Sequence, residues 1–320
     1  MRARAWDVVI VGAGAAGLSA ALILGRACRK VLLCDKGTPR NWASKQMHSF
    51  VTRDGVDPTD FRAIARKELA RYKQVTFCAA KVTGASLLPE QGFRITIEGA
   101  APVRTRKLLL ATGVVDHLPA IEGIEEFFGV SVFQCPYCHG WEKRGAPIAV
   151  YGRRQRGFEM ARAMTAWTDD IVLCTDGPSS LSPDARGQLH RNGIQIRTDR
   201  IARLQGKGGQ LKSIVFQDGS TLPRAALFFD TPSSEQSNLA RSLGCEFSSK
   251  GGIKCGEHEA SSVPGVFVAG NITRDVQLAI VAAAEGAKAA FGINRALTRE
   301  NFVRKGTGKN RVEHPRQPKR

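Results

Sequence analysis

Asp7-Val8-Val9-Ile10-Val11 runs straight into Gly12-Ala13-Gly14-Ala15-Ala16-Gly17, and after an Ala/Leu-rich stretch comes Val31-Leu32-Leu33-Cys34-Asp35. Two short β-branched apolar runs around a helix-forming stretch are the pattern of buried parallel strands in a β–α–β unit. Each glycine has its own task. Gly12 makes the tight turn, Gly14 lets backbone approach a pyrophosphate, and Gly17 lets helix and strand pack closely. The helix N-terminus supplies N–H groups and positive dipole to phosphates. Asp35 follows Gly17 by 18 residues and is placed to bond ribose hydroxyls. A lone G-x-G-x-x-G is weak; one between two strands with an acid in place specifies a dinucleotide unit and an α/β fold.

Beyond this unit, residues 41–57 read as a polar loop containing His48, and 58–72 as a helix. Short strands are expected around 75–82 and 92–97, a β-meander added to the first unit. Lys107-Leu108-Leu109-Leu110 then runs into Ala111-Thr112-Gly113, a small-residue strand end where backbone can pass close to a cofactor. The strand–glycine–helix pattern restarts at Pro147-Ile148-Ala149-Val150-Tyr151, followed by Gly152-Arg153-Arg154-Gln155-Arg156-Gly157. Position 154, where backbone must approach a pyrophosphate, is Arg. The next strand ends in Cys174-Thr175-Asp176-Gly177, with no basic cluster for a 2′-phosphate. This second unit reads as a dinucleotide fold that has lost ordinary nicotinamide binding. Gly265 to Asn271 is another strand closing on glycine and a polar side chain. A long Ala-rich helix over 276–297 then aims its N-terminus, near Gln277, at an electron-rich ligand atom.

The chemistry is written in Cys135-Pro136-Tyr137-Cys138-His139-Gly140-Trp141-Glu142. Two cysteines with two residues between them close a disulfide, open to a dithiol, or make half a metal site. No second C-x-x-C and no H-x3-5-H follows, so a four-ligand zinc site lacks its other half. The redox reading is favoured over zinc and over an inert packed pair. His139, with an ordinary pKa near neutrality, is placed to move the proton that thiol chemistry moves. The remaining six of the eight cysteines are read as small core or surface residues.

The totals narrow the class. A chain of 320 residues with 42% hydrophobic content is long enough for two globular domains, and no apolar run reaches the length of a membrane span. No signal-peptide pattern precedes the first strand, and the cysteines lack the spacing of a secreted scaffold, so a reducing cytoplasm is expected. The net charge of +18 raises nucleic acid as a partner. Seven of those basic groups against one Glu lie in residues 301–320, a basic tail expected to be disordered. The rest is scattered without aromatic interleaving, so a solvated basic surface is expected rather than a nucleic-acid site.

Taken together, Gly12–Gly17, Asp35, Ala111-Thr112-Gly113, the cysteine pair at the entry to the second unit and the Gly265–Asn271 segment resemble the low-molecular-weight thioredoxin reductases up to about residue 300. The resemblance implies two Rossmann-like domains in three ββα layers, the second inserted in the first. FAD would lie on residues 1–118 and 247–300, with an NAD(P)-binding-like insert over 119–246, in a homodimer. It implies Gly12, Gly14, Ala15 and Ala16 around the pyrophosphate, Asp35 on the adenosine ribose, and Ala111, Thr112 and Gly113 lining the cofactor. Asn271 would touch the ribityl chain, Gln277 and Leu278 the pyrimidine end of the flavin, and His48 would lie on a loop near the flavin. Cys135 and Cys138 would exchange electrons with FAD. Asn271 stands where the family usually has Asp, and His139 where thioredoxin reductases have Asp. With His139, the motif looks more like flavin-dependent dithiol oxidases, which pass electrons from a dithiol through FAD to oxygen. The substrate would be a small dithiol or a thioredoxin-like disulfide. The alternatives are an NADPH-dependent thioredoxin-disulfide reductase and a redox-sensing flavoprotein module whose basic tail binds a partner.

Overall fold

The computed structural model describes residues 5–306. In chain order they form β1 (Ala5–Val11), α1 (Ala15–Arg26), β2 (Val31–Cys34), α2 (Pro58–Leu69), β3 (Val75–Cys78), β4 (Val82–Leu87), β5 (Phe93–Ile97) and β6 (Val103–Leu110). Then come β7 (Val114–Asp116), α3 (Ile124–Phe127), β8 (Val132–Phe133), α4 (Pro136–His139), β9 (Ile148–Tyr151), α5 (Arg154–Met164), β10 (Ile171–Cys174) and α6 (Pro183–Arg191). The chain continues with β11 (Gln195–Arg197), β12 (Ile201–Lys207), β13 (Gln210–Phe216), β14 (Thr221–Pro223), β15 (Ala226–Phe229), β16 (Ser233–Glu235), α7 (Leu239–Ser242), β17 (Val266–Val268) and α8 (Ala279–Gly306).

Among the described residues, one compact unit comprises the chain up to Gly37, Ala65–Gly113, and everything from Ser237; the other comprises Thr38–Ile64 and Val114–Gln236. This differs from the sequence-based boundaries chiefly at 38–64, expected with the first unit. The reason lies in specific ties inside the second unit. Arg40 grips the Asp116 carboxylate with two hydrogen bonds of 2.7 and 2.6 Å. Gly129 lies so close under Ala43 that a Cβ there would sit 2.4 Å from the Ala43 carbonyl oxygen.

In the first unit, β3, β2, β1, β6 and β17 form a parallel sheet in that order, and β5 pairs antiparallel with the first half of β6, extending to β4. The expected meander is present as β4, β5 and β6, but the strand expected over 75–82 is split, its first half forming the parallel edge strand β3 beside β2. Strand alternation sends Val9, Val11, Leu32, Leu108 and Leu110 to one face, where Leu239, Leu243 and Ile253 complete a core. Each such fully buried aliphatic side chain stabilises the fold by about 1.5–3 kcal/mol. Ile10 points to the other face, against the start of α1, where the position of a Cβ on Gly17 lies 3.4 Å from it. α8 packs on α1 through small residues; a Cβ on Gly286 would fall 2.0 Å from the Ala16 carbonyl oxygen.

α8 runs past the expected end at 297 and includes residues 301–306, assigned from sequence to a disordered tail. Tertiary ties hold this extension. Arg29 donates to Asn294 Oδ1 and Thr298 Oγ1, and Glu300 accepts from Arg106 and Lys107 at 2.7 and 2.5 Å. The rest of the basic tail, 307–320, lies outside the described residues. In the second unit, β11, β10, β9, β15 and β8 form a parallel sheet, accompanied by the antiparallel sheet β12-β13-β14 and the ribbon β7–β16. No described helix is long and apolar enough to cross a membrane.

Candidate active site

The first glycine turn is built as its sequence dictates. Gly12 has φ +104° and no room for a side chain, since a Cβ would meet the Ala111 carbonyl oxygen at 2.2 Å. A Cβ on Gly17 would lie 1.8 Å from the Gly12 carbonyl oxygen. Around Gly14, by contrast, nothing lies within 4 Å of a Cβ, so the turn is open where a ligand approaches. No side chain caps α1 at Gly14, leaving its first-turn amides to a ligand or solvent. Asp35 accepts from the Ala13 N–H at 3.3 Å and pairs with Arg66 at 3.5 Å. Thr112 Oγ1 is buried without a hydrogen-bond partner among the described residues, and such an orphan is costly unless a ligand completes it. Gly113 has φ +68°. Asn271 opens a short 3-10 turn behind Gly270, whose N–H donates to Glu285 at 2.5 Å. Gln277 and Leu278 stand just before α8, and the Leu278 carbonyl accepts from Ala282 N–H within its first turn.

The thiol site lies in the second unit. Cys135 and Cys138 are joined as a disulfide. Pro136, pre-set for a first helical position, starts the single turn of α4 between them. Gly140 permits close packing on Trp167, since a Cβ would meet that ring at 2.6 Å. Tyr137 and Trp141 stand exposed on either side of Cys138.

His139 stacks on Phe133 with ring centroids 4.2 Å apart and 13° between planes. Its Nδ1 is buried without a partner among the described residues. Burial first, then the neighbouring His48 and Lys143 charges, push its pKa down to about 4. At neutral pH it is therefore a neutral imidazole with a free lone pair, the form a general base requires. His48 meets it edge-on at 6.3 Å. His48 itself sits between Asp54 and Glu142, at 3.5 Å from Nδ1 and 3.4 Å from Nε2, within ion-pair reach but without a hydrogen bond at Nε2. Asp116 accepts from Gln134, the residue before Cys135, at 3.3 Å as well as from Arg40.

The second glycine turn keeps its outer glycines in contact, a Cβ on Gly157 falling 2.6 Å from the Gly152 carbonyl. Its middle is different. Arg154 has φ +52°, a left-handed conformation that costs a residue with a Cβ about 1–2 kcal/mol, and its N–H donates to Ser179 O at 3.0 Å. The Arg153 guanidinium donates to Thr175 O at 2.6 Å and to the Asp176 backbone carbonyl, and pairs with the Asp176 carboxylate at 3.3 Å.

The sequence profile of the pyridine nucleotide-disulphide oxidoreductase family matches residues 6–286. The chain belongs to this family. Among its relatives is thioredoxin reductase tcpT of Claviceps purpurea, 32% identical over 279 residues, which cover 83% of this chain and 86% of that protein. Among solved structures, HlmI superposes with a TM-score of 0.90 at 32% identity, over 95% of this chain and 96% of HlmI. An oxidoreductase from Agrobacterium tumefaciens superposes with a TM-score of 0.85 at 31% identity, over 92% and 99%. The chain is thus an oxidoreductase of the thioredoxin reductase-like class with the two-domain Rossmann architecture, and its family implies a flavin. The open Gly14, the orphaned Thr112 hydroxyl and the uncapped α1 fit that cofactor.

Of the residues named from sequence, the first unit gathers Gly12, Gly14, Ala15, Ala16 and Asp35 at one turn. Ala111 reaches the same turn through its carbonyl, beside Thr112 and Gly113. Cys135, Cys138 and His139 form the thiol site, and the structure sets His48 beside His139. The sequence reading passed over Glu142, Asp54, Phe133 and Asp116. Glu142 stood within the quoted motif; the other three carried no local signal.

Proposed function

We propose that this protein is an FAD-dependent dithiol oxidase, drawing electrons from a dithiol substrate rather than from NADPH. The observation that carries the second half is the self-satisfied turn at Gly152–Gly157. Its Arg154 amide is spent on Ser179, and Arg153 spans the strand ends where a nicotinamide dinucleotide would lie.

A substrate thiol gives its proton to His139 and attacks the Cys135 sulfur. The Cys135–Cys138 bond breaks, and Cys138 leaves as a thiolate. The second substrate thiol attacks the substrate sulfur of the mixed disulfide, releasing a substrate disulfide and Cys135. Two electrons and two protons have then passed to the cysteine pair. Cys138 as the thiol that hands electrons to FAD follows the family pattern. The neutral His139 supports the base role, and the exposed Tyr137 and Trp141 give a thiol substrate apolar surface beside the disulfide. Bound FAD supplies the two-electron acceptor that restores the disulfide, with oxygen beyond it. Six free cysteines among the described residues fit a reducing cytoplasm, and the family pattern supports a homodimer.

Mixing the flavin-loaded protein anaerobically with NADPH, then with a small dithiol, tests the reading. The dithiol should bleach the flavin band and NADPH should not. Rapid stoichiometric bleaching by NADPH would establish a thioredoxin-disulfide reductase instead.

A further inference from the structure

Cys34 and Cys78, 44 residues apart, end neighbouring parallel strands and are direct partners in the β2–β3 register. In-register partners stand on the same face of a sheet, with backbones about 4.8 Å apart, inside the Cα separation of disulfides. Cys34 is 1% exposed and lies in the core of the first unit, with Cys78, only partly buried, packed against it. Among the described residues β3 is the edge strand of its sheet, and no further described strand restrains it.

The backbone around this pair is tied to the cofactor turn on one side and to β3 on the other. Gly12 N–H donates to Cys34 O at 2.8 Å, and Ala13 N–H to the Asp35 carboxylate at 3.3 Å. Asp35 N–H in turn donates to Cys78 O at 3.0 Å.

We infer that Cys34 and Cys78 are a second redox-active thiol pair, closed to a disulfide by hydrogen peroxide, and that closure loosens the hold of the first unit on FAD. Burial chiefly, and then the adjoining Cys78, push the Cys34 thiol up to about 12. Cys34 thus keeps its proton and donates to Cys78, and Cys78, the more accessible of the two, is the sulfur that attacks the oxidant, in the thiolate form that all thiol nucleophiles use. Cys78 Sγ attacks one peroxide oxygen, the O–O bond breaks, and a sulfenic acid and hydroxide result. Cys34 Sγ then attacks the Cys78 sulfur. The S–S bond forms, the S–OH bond breaks, and the Cys34 proton leaves with it as water.

Disulfide Cβ atoms sit about 3.8 Å apart, closer than in-register side chains on neighbouring parallel strands. Closure therefore draws β3 and β2 together at the point where Asp35 is bonded to Cys78. Displacing the ribose-binding carboxylate removes a charge-assisted hydrogen bond, which corresponds to about a tenfold loss of affinity. The thiol pair does not depend on the direction of electron flow proposed above, and the oxidant is added directly.

The test treats the flavin-loaded protein with hydrogen peroxide and alkylates the remaining thiols. Linked peptides are mapped by mass spectrometry, and FAD affinity is read from the fluorescence of released flavin. A Cys34–Cys78 linked peptide, with FAD affinity about tenfold weaker and restored by reductant, is expected. Neither change should occur in Cys78→Ser. Alkylation of both thiols after peroxide, Cys78 over-oxidised without a link, or a link with unchanged FAD affinity each overturns the inference. The wild-type peptide map decides the linkage even if the variant folds poorly.

Discussion

Gly12–Gly17 and Gly152–Gly157 each join a strand of a parallel sheet to the helix that follows it, and each hangs its first glycine on the neighbouring strand, Gly12 N–H on Cys34 O and Gly152 N–H on Cys174 O. They part at the middle position. Gly14 faces open space, whereas Arg154 takes a left-handed conformation and spends its amide on Ser179. The acids diverge in the same way, Asp35 on a turn amide and Asp176 on the Arg153 guanidinium. The two turns thus share a packing device, held by the outer glycines in both units, and differ at the middle position, which only the first leaves open. What the second unit retains is a platform for the cysteine pair.

The largest effect that can sharpen this contrast is on the platform itself. His139→Asn should lower dithiol turnover by roughly 10²–10⁴-fold while leaving flavin bound, measured by steady-state rates beside the flavin spectrum. In the wild type, turnover should persist as pH falls through 6.5 and fail near 4, because the base is lost only when the depressed His139 protonates. Stability runs with the same sign. The folded pKa lies below the unfolded value, so the unfolded chain binds more protons between about 6.5 and 4, and His139 makes the fold less stable as pH drops through that window. An acid limb at 6.5 in the rate profile would contradict this environment.

Next come the outer glycines. Gly17→Ala and Gly157→Ala both force a Cβ into backbone, at 1.8 and 2.6 Å, and each should destabilise by about 1–3 kcal/mol in urea unfolding. Only Gly17→Ala should also release flavin. Smaller again, Asp35→Asn should weaken FAD binding about tenfold, and Asp176→Asn should leave it unchanged. Equal losses from both would erase the distinction between the turns. The smallest effect is at Arg154→Gly. Relief of the left-handed strain should raise stability by about 0.5–1 kcal/mol, and flavin should still resist NADPH because Arg153 remains in place.

Residue order alone determined the first glycine turn, the placing of Arg154 at the middle of its counterpart, and the C-x-x-C-H motif. Each is a local pattern whose meaning lies in backbone geometry and nearest neighbours. Tertiary structure decided what depends on contacts distant in sequence. It set His48, itself paired with Asp54, beside His139, and through Arg40 and Asp116 it drew residues 38–64 into the second unit. It also carried α8 beyond Leu297 through Arg29, Arg106 and Lys107, and it paired Cys34 with Cys78 across strand register. A glycine or a cysteine spacing constrains the chain where it stands. A partner across a sheet or from a distant loop is selected only once burial and hydrogen bonding have brought the two segments together.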